Sequence, residues 1–163
     1  MNRSTAREIA VHFAFELAFS DERVQQLLER ELTAESFAAR AKDEPLYAEF
    51  PGEGELEYIN KLVLGVGGHG AELDGYIEKY AKGWRFSRID RVASAIMRAT
   101  MYEILYMPDI PNRAAINEAV EIAKKYEPAE VVSFMNGILG TFVRTECEDA
   151  PPKPEKKAPE GEA

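Results

Sequence analysis

In "SRIDRVASAIMRATMYEI", residues 87–104, Arg88, Arg91, Ala95, Arg98 and Tyr102 fall on one stripe at helical spacing. A basic and aromatic stripe can hold phosphates or an acidic protein segment through charge-assisted hydrogen bonds. Arg98 also has a competing use inside the fold, as a partner for Glu118 or Glu103. In the next segment Asn117, Glu121 and Lys124 share an outer face, while Ala115, Ala119, Ile122 and Tyr126 form an apolar stripe. Glu121 is spaced to pair with Lys125. Further on, "SFMNGILG", residues 133–140, places Ser133, Gly137, Gly140 and Arg144 along one helical face, with Asn136 at its edge. A glycine inside a helix costs about 1 kcal/mol relative to alanine. A row of small residues therefore implies a close approach, either by another helix or by a partner or RNA backbone lying across its exposed end.

Other chemistries are excluded by what the chain lacks. Cys147 is its one cysteine, and His12 and His69 are its two histidines. No intramolecular disulfide can form, and no familiar zinc spacing exists. No cofactor or metal is expected. "GVGGHG", residues 65–70, has the look of a phosphate loop, but no strand precedes it and no Gly-Lys-Ser/Thr follows. A helix break is the better reading. The net charge of −9 argues against nucleic acid, yet residues 21–60 hold −7 of it and residues 146–163 hold −3, leaving +1 elsewhere. A local basic patch is therefore compatible with the acidic whole. No apolar run approaches the ~18 residues of a membrane span. The N-terminus enters an amphipathic pattern directly, so no membrane association and a cytoplasmic location are expected.

The elements that must position these residues are all helical, because hydrophobic spacing near 3.6 recurs and strand alternation does not. Helices are expected at about 5–19, 21–31 and 33–42, with Thr5-x-x-Glu8 as a capping box and Ser20 and Thr33 as caps. The Pro- and Gly-bearing 42–55 reads as an exposed connection. A helix from Leu56 should break or bend at "GVGGHG" and resume over 71–81. Ser87 caps a helix over 88–106, Pro111 opens one ending near Tyr126, and Pro128 opens the last, ending near Arg144. With 33–42 taken as a short helix, seven substantial helices and no strands are expected. The tail 149–163 has too little apolar surface to fold.

These segments occur in a familiar order. "REIAVHF", "LDGYIEKYAKGW", "RIDRVASAIMRATMYEIL", "DIPNRAAINEAVEIAKKY" and "SFMNGILG" together resemble the NusB family of bacterial transcription antitermination factors over about residues 3–145. The carrying positions are Ala6-Arg7-Glu8, Arg98 with Tyr102-Glu103, Ile110-Pro111, Ile116 to Ala119, and Phe134 to Leu139. The resemblance implies an all-α fold of two small packed helical bundles within residues 1–148, one over about 3–50 and one over about 54–145. It implies a non-enzymatic protein that pairs with ribosomal protein NusE and binds boxA-type RNA of rRNA transcripts within the RNA polymerase antitermination complex.

Carried over by position, the RNA surface would join Arg3, Arg7 and His12 of the N-terminal arm to Lys124, Glu130, Phe134 and Asn136. Phe134 can offer a ring to a base or simply pack in the core. The NusE-facing surface would use Phe15 and the helix carrying Arg88, Arg91 and Ala93. Several family features are altered. Ser4 and Thr5 stand where arms often carry Arg, Ser133 where a Lys can occur, and Ala93 where an acidic residue is common. Fewer phosphate contacts lower the salt-dependent part of affinity. A second reading is therefore a helical interaction module of weakened RNA affinity that docks on a protein or forms a homodimer. A third, an rRNA methyltransferase fragment, lacks any strand, Gly-rich loop and helix unit to hold a methyl donor.

Overall fold

The computed structural model describes residues 1–20, 22–81 and 89–147. Among them are eight α-helices and no strand, and no helix is long and apolar enough to cross a membrane. The chain divides into two compact units, Met1–His69 and a second beginning at Gly70. The division falls at the end of the "GVGGHG" run rather than in the 42–55 connection. Ser87, Arg88 and the tail 149–163, for which a cap, a site residue and disorder were expected, lie outside the described residues.

In the first unit α1 (Arg3–Leu17) is capped by Asn2, whose Oδ1 accepts from the Thr5 N–H at 2.8 Å. The expected Thr5 cap is displaced because Asn2 begins the helix three residues earlier and leaves Thr5 inside the first turn. Ala6, Ile9, Ala10, Phe13 and Ala14 form the buried face of α1. It packs on α4 (Glu53–Gly68), whose buried face is Tyr58, Ile59, Leu62, Val63 and Val66. This pairing is why α4 belongs to the first unit. Alanines at successive turns of α1, Ala6, Ala10 and Ala14, let the two backbones approach.

Two shorter helices, α2 (Val24–Glu31) and α3 (Ala34–Ala41), close the unit with a 3-10 turn at Pro45–Tyr47. Ser20 accepts from the Glu22 N–H, while α2 itself starts at Val24. Thr33 caps α3 as expected, accepting from the Ser36 N–H at 3.0 Å. Phe37 meets the rings of Tyr47 and Phe50 edge-on at 5.0 and 5.1 Å.

The helix breaks within the "GVGGHG" run, as expected, though only at its end, between Gly68 and Gly70. The helix continues to Gly68, and His69 closes it with Nδ1 2.9 Å from the Gly65 carbonyl oxygen. Gly67 has a packing role, since a Cβ there would lie 3.1 Å from Val24 Cβ of α2.

The second unit contains α5 (Gly70–Tyr80), α6 (Arg91–Tyr106), α7 (Asn112–Tyr126) and α8 (Ala129–Phe142). A five-residue π-helical turn, Val143–Cys147, follows α8. The centre is α6, which is buried on nearly all sides and packs against the other three. Asp90 caps it, accepting from the Ala93 N–H at 2.8 Å. Arg98 pairs with Asp74 of α5 at 2.6 Å, not with the expected Glu118 or Glu103. Tyr126, expected in the buried stripe of α7, is 43 % exposed. In α8, Met135, Ile138, Leu139 and Phe142 are buried. Ser133 and Gly137 face outward, and a Cβ at Gly137 would meet nothing within 4 Å. Among the described residues no helix packs against Gly137, so at this point of the row the close approach of another helix is not found.

Gly137→Ala should therefore raise stability by about 0.5–1 kcal/mol, the ordinary helix-interior gain. Gly67→Ala should show no such gain, because Val24 has to yield. Urea unfolding of both variants measures the contrast, and an equal gain at the two positions would contradict this account of the glycines.

Candidate nucleic-acid interface

Within the first unit, the arm residues converge on one ring. The Arg3 guanidinium lies 4.1 Å from the Tyr58 ring centroid, and that of Arg7, one turn on, lies 5.5 Å from it. Arg3 Nε also donates to Glu55 Oε1 at 2.7 Å. Arg3 keeps 45 % of its side chain exposed, whereas Arg7 is only 6 % exposed. Arg3 is thus presented at the surface. Arg7 is largely enclosed, which leaves it less available to a phosphate than its sequence position suggests.

His12 is half-buried, with Nδ1 3.0 Å from Tyr47 Oη. Burial pushes its pKa below the usual histidine range, against the opposing pull of Glu44 and Glu8. It is therefore neutral at pH 7 and offers no cation to a phosphate. Phe15 is half-buried and meets Phe19 edge-on at 4.8 Å, and Phe19 is 57 % exposed. Phe19 is a surface aromatic that sequence reasoning passed over. Its only signal was its place four residues after Phe15, just past the helix end.

Within the second unit, α7 and α8 enclose an open groove of about 690 Å³. Asn117, Glu121, Lys124 and Glu127 line one side and Ala129, Val132, Ser133 and Asn136 the other, with Val120 contributing to the apolar part. Lys124 and Asn136, both expected in the RNA surface, are brought together here. Lys124 pairs with Glu121 at 3.1 Å. Both side chains of this pair are well exposed, so it contributes little to stability and yields readily to a ligand. Glu130 is exposed in the first turn of α8 and Phe134 is half-buried. Neither lines the groove. Asn117, Ser133 and Glu127 do line it, although they were not selected as site residues. Their signal was the shared face of Asn117, Glu121 and Lys124, meeting the row that contains Ser133.

Of the partner-facing set, Arg91 is exposed at the start of α6, and Ala93 is fully buried. Ala93 is a core residue in this chain rather than part of a docking surface. Among the described residues no three His, Cys, Asp or Glu side chains cluster as metal ligands.

The groove's polar inventory suits a polar ligand: amide groups that both donate and accept, one ammonium, a hydroxyl and carboxylates. Glu127 is unusual among them. Burial first, then a hydrogen bond with Asp90 and that carboxylate's charge, push its pKa up to about 7.

A family model described as "NusB family" matches residues 4–144. A protein from Natranaerobius thermophilus is 37 % identical over 139 residues, covering 85 % of this chain and 92 % of the relative. One from Acetivibrio thermocellus is 40 % identical over 151 residues, covering 92 % and 94 %. Each is named transcription antitermination protein NusB. Among solved structures, "T. maritima NusB, P3121, Form 2" aligns with a TM-score of 0.72 at 25 % identity, covering 94 % of both chains.

The raised Glu127 pKa has a definite sign. Between pH 4.5 and about 7 the folded chain holds a proton that the unfolded chain has lost. That contribution to stability is fully present below 4.5 and is lost as pH rises through about 7. Glu127→Gln should flatten this loss, raising stability at pH 8 relative to the parent. Thermal unfolding across pH 5–8 tests it, and parallel profiles for the two chains would contradict the assignment.

Proposed function

The chain belongs to the NusB family, and from that premise we propose that it is a transcription antitermination protein that binds boxA-type RNA of rRNA transcripts together with ribosomal protein NusE. The observation that carries this reading is the family match across nearly the whole folded chain, with the expected cation Arg3 exposed and Lys124 beside Asn136 in a polar groove. Arg3 meets a phosphate. Lys124 meets another, while Asn117 and Asn136 offer hydrogen bonds to base edges. Phe15, with Phe19, and Arg91 supply the surface for NusE. The work is binding within the RNA polymerase antitermination complex, without catalysis.

A weaker RNA-binding or dimerising module is the second reading. Arg7 is enclosed and His12 neutral, so the arm has fewer available cations than its sequence suggests.

A boxA-type RNA titration with and without NusE, at two salt concentrations, separates the readings. The proposal expects tighter binding with NusE. Arg3→Ala and Lys124→Ala should each weaken binding and lower the salt slope by about 0.7, the loss of one single-strand phosphate contact. Equal weak binding with and without NusE, together with a dimer by light scattering, would favour the second reading.

A further inference from the structure

We propose that Tyr58 and Glu55 of α4 act as positioning residues for RNA binding, holding the Arg3 guanidinium in a fixed plane with its terminal edge directed away from the protein. This inference rests on the RNA-binding reading above and names the residues that make the arm competent.

An arginine guanidinium is flat and carries its N–H donors in a fixed fork. Arg3 is the third residue of the chain and, untethered, would sample many rotamers. Two contacts remove that freedom. The ring of Tyr58, itself 4 % exposed and fixed in the core of the first unit, lies under the guanidinium at 4.1 Å. Glu55, one turn before Tyr58 on the same helix, takes the Nε hydrogen at 2.7 Å. The Glu55 hydrogen bond engages Arg3 at Nε, and 45 % of the side chain remains exposed for the Nη donors to meet a ligand.

The Nη edge is the one that makes bidentate contact with phosphate. Ordering the side chain before RNA arrives removes an entropic cost from binding. Glu55 also offsets part of the Arg3 charge. The proposal holds that fixing the plane outweighs this, because the carboxylate sits at Nε and leaves the phosphate-facing edge clear.

The test uses the full chain with NusE and the same boxA-type RNA. Tyr58→Leu and Glu55→Leu should each weaken binding about three- to tenfold, the range expected when one long side chain loses its preorganisation. Tyr58→Phe, which keeps the ring, should bind like the parent. In an Arg3→Ala background both Leu substitutions should lose their effect, since the Arg3 guanidinium is gone and that of Arg7, also over the Tyr58 ring, is enclosed.

If the parent itself fails to bind RNA, the functional reading falls and this one with it. If the parent binds and Arg3→Ala weakens it while Glu55→Leu and Tyr58→Leu bind like the parent, only the positioning role is overturned. Tighter binding by Glu55→Leu overturns it too, by making Glu55 a competitor of the RNA. An undiminished loss in the Arg3→Ala background reduces Tyr58 to a structural residue and also overturns it. Should Tyr58→Leu fail to fold, the half-buried Glu55→Leu variant and its cycle with Arg3→Ala decide the matter.

Discussion

The packing of α1 on α4 is the interaction on which the first unit depends. Ile9 and Phe13 on one helix and Ile59, Leu62 and Val63 on the other are all essentially without solvent exposure. Burial of this kind is worth about 1.5–3 kcal/mol for each large side chain. The same register that buries those residues sets Tyr58 beside the first turn of α1, where Arg3 and Arg7 meet its ring. One helix pairing therefore builds the core and aims the arm.

The acidic stretch 21–60 has a partial explanation in the same unit. Glu31 joins Glu16 in holding Arg40, Glu49 holds the amino terminus, and Glu55 holds Arg3. Glu22 pairs with Arg30. Some of this negative charge is thus an internal counter-charge, closing the unit around the cations of α1 and α3. In the second unit the logic differs. An almost entirely buried α6 provides the core, and α7 and α8 keep their polar sides for the groove. The outward glycine face of α8 is not explained by helix packing, since Gly137 faces open space.

Much of this was legible in the sequence, and what was not has a common cause. Hydrophobic spacing marks the buried face of each helix, so Met135, Ile138 and Phe142 in α8 and Ala115, Ala119 and Ile122 in α7 were read correctly. Local cap chemistry placed Thr33. Spacing within one helix does not say what covers a face. Arg98 finds Asp74, 24 residues earlier, and His12 finds Tyr47, 35 residues later. Arg7 is enclosed although its position on the arm suggested a surface cation, and α4 joins α1 across the Pro- and Gly-bearing connection. Lys124 and Asn136 are expected from the family pattern, and the structure places both on one groove. Asn117 and Ser133 became candidates only once α7 and α8 were seen to face one groove.

The central claim is the proposed binding of boxA-type RNA through Arg3 and through Lys124 and Asn136. Photo-crosslinking of a boxA-type RNA to the complex with NusE, followed by peptide mapping, tests it most directly. The account predicts crosslinks both to the peptide containing Arg3 and to peptides containing Lys124 or Asn136. Crosslinks missing from the Arg3 peptide, or from both Lys124 and Asn136, would contradict it.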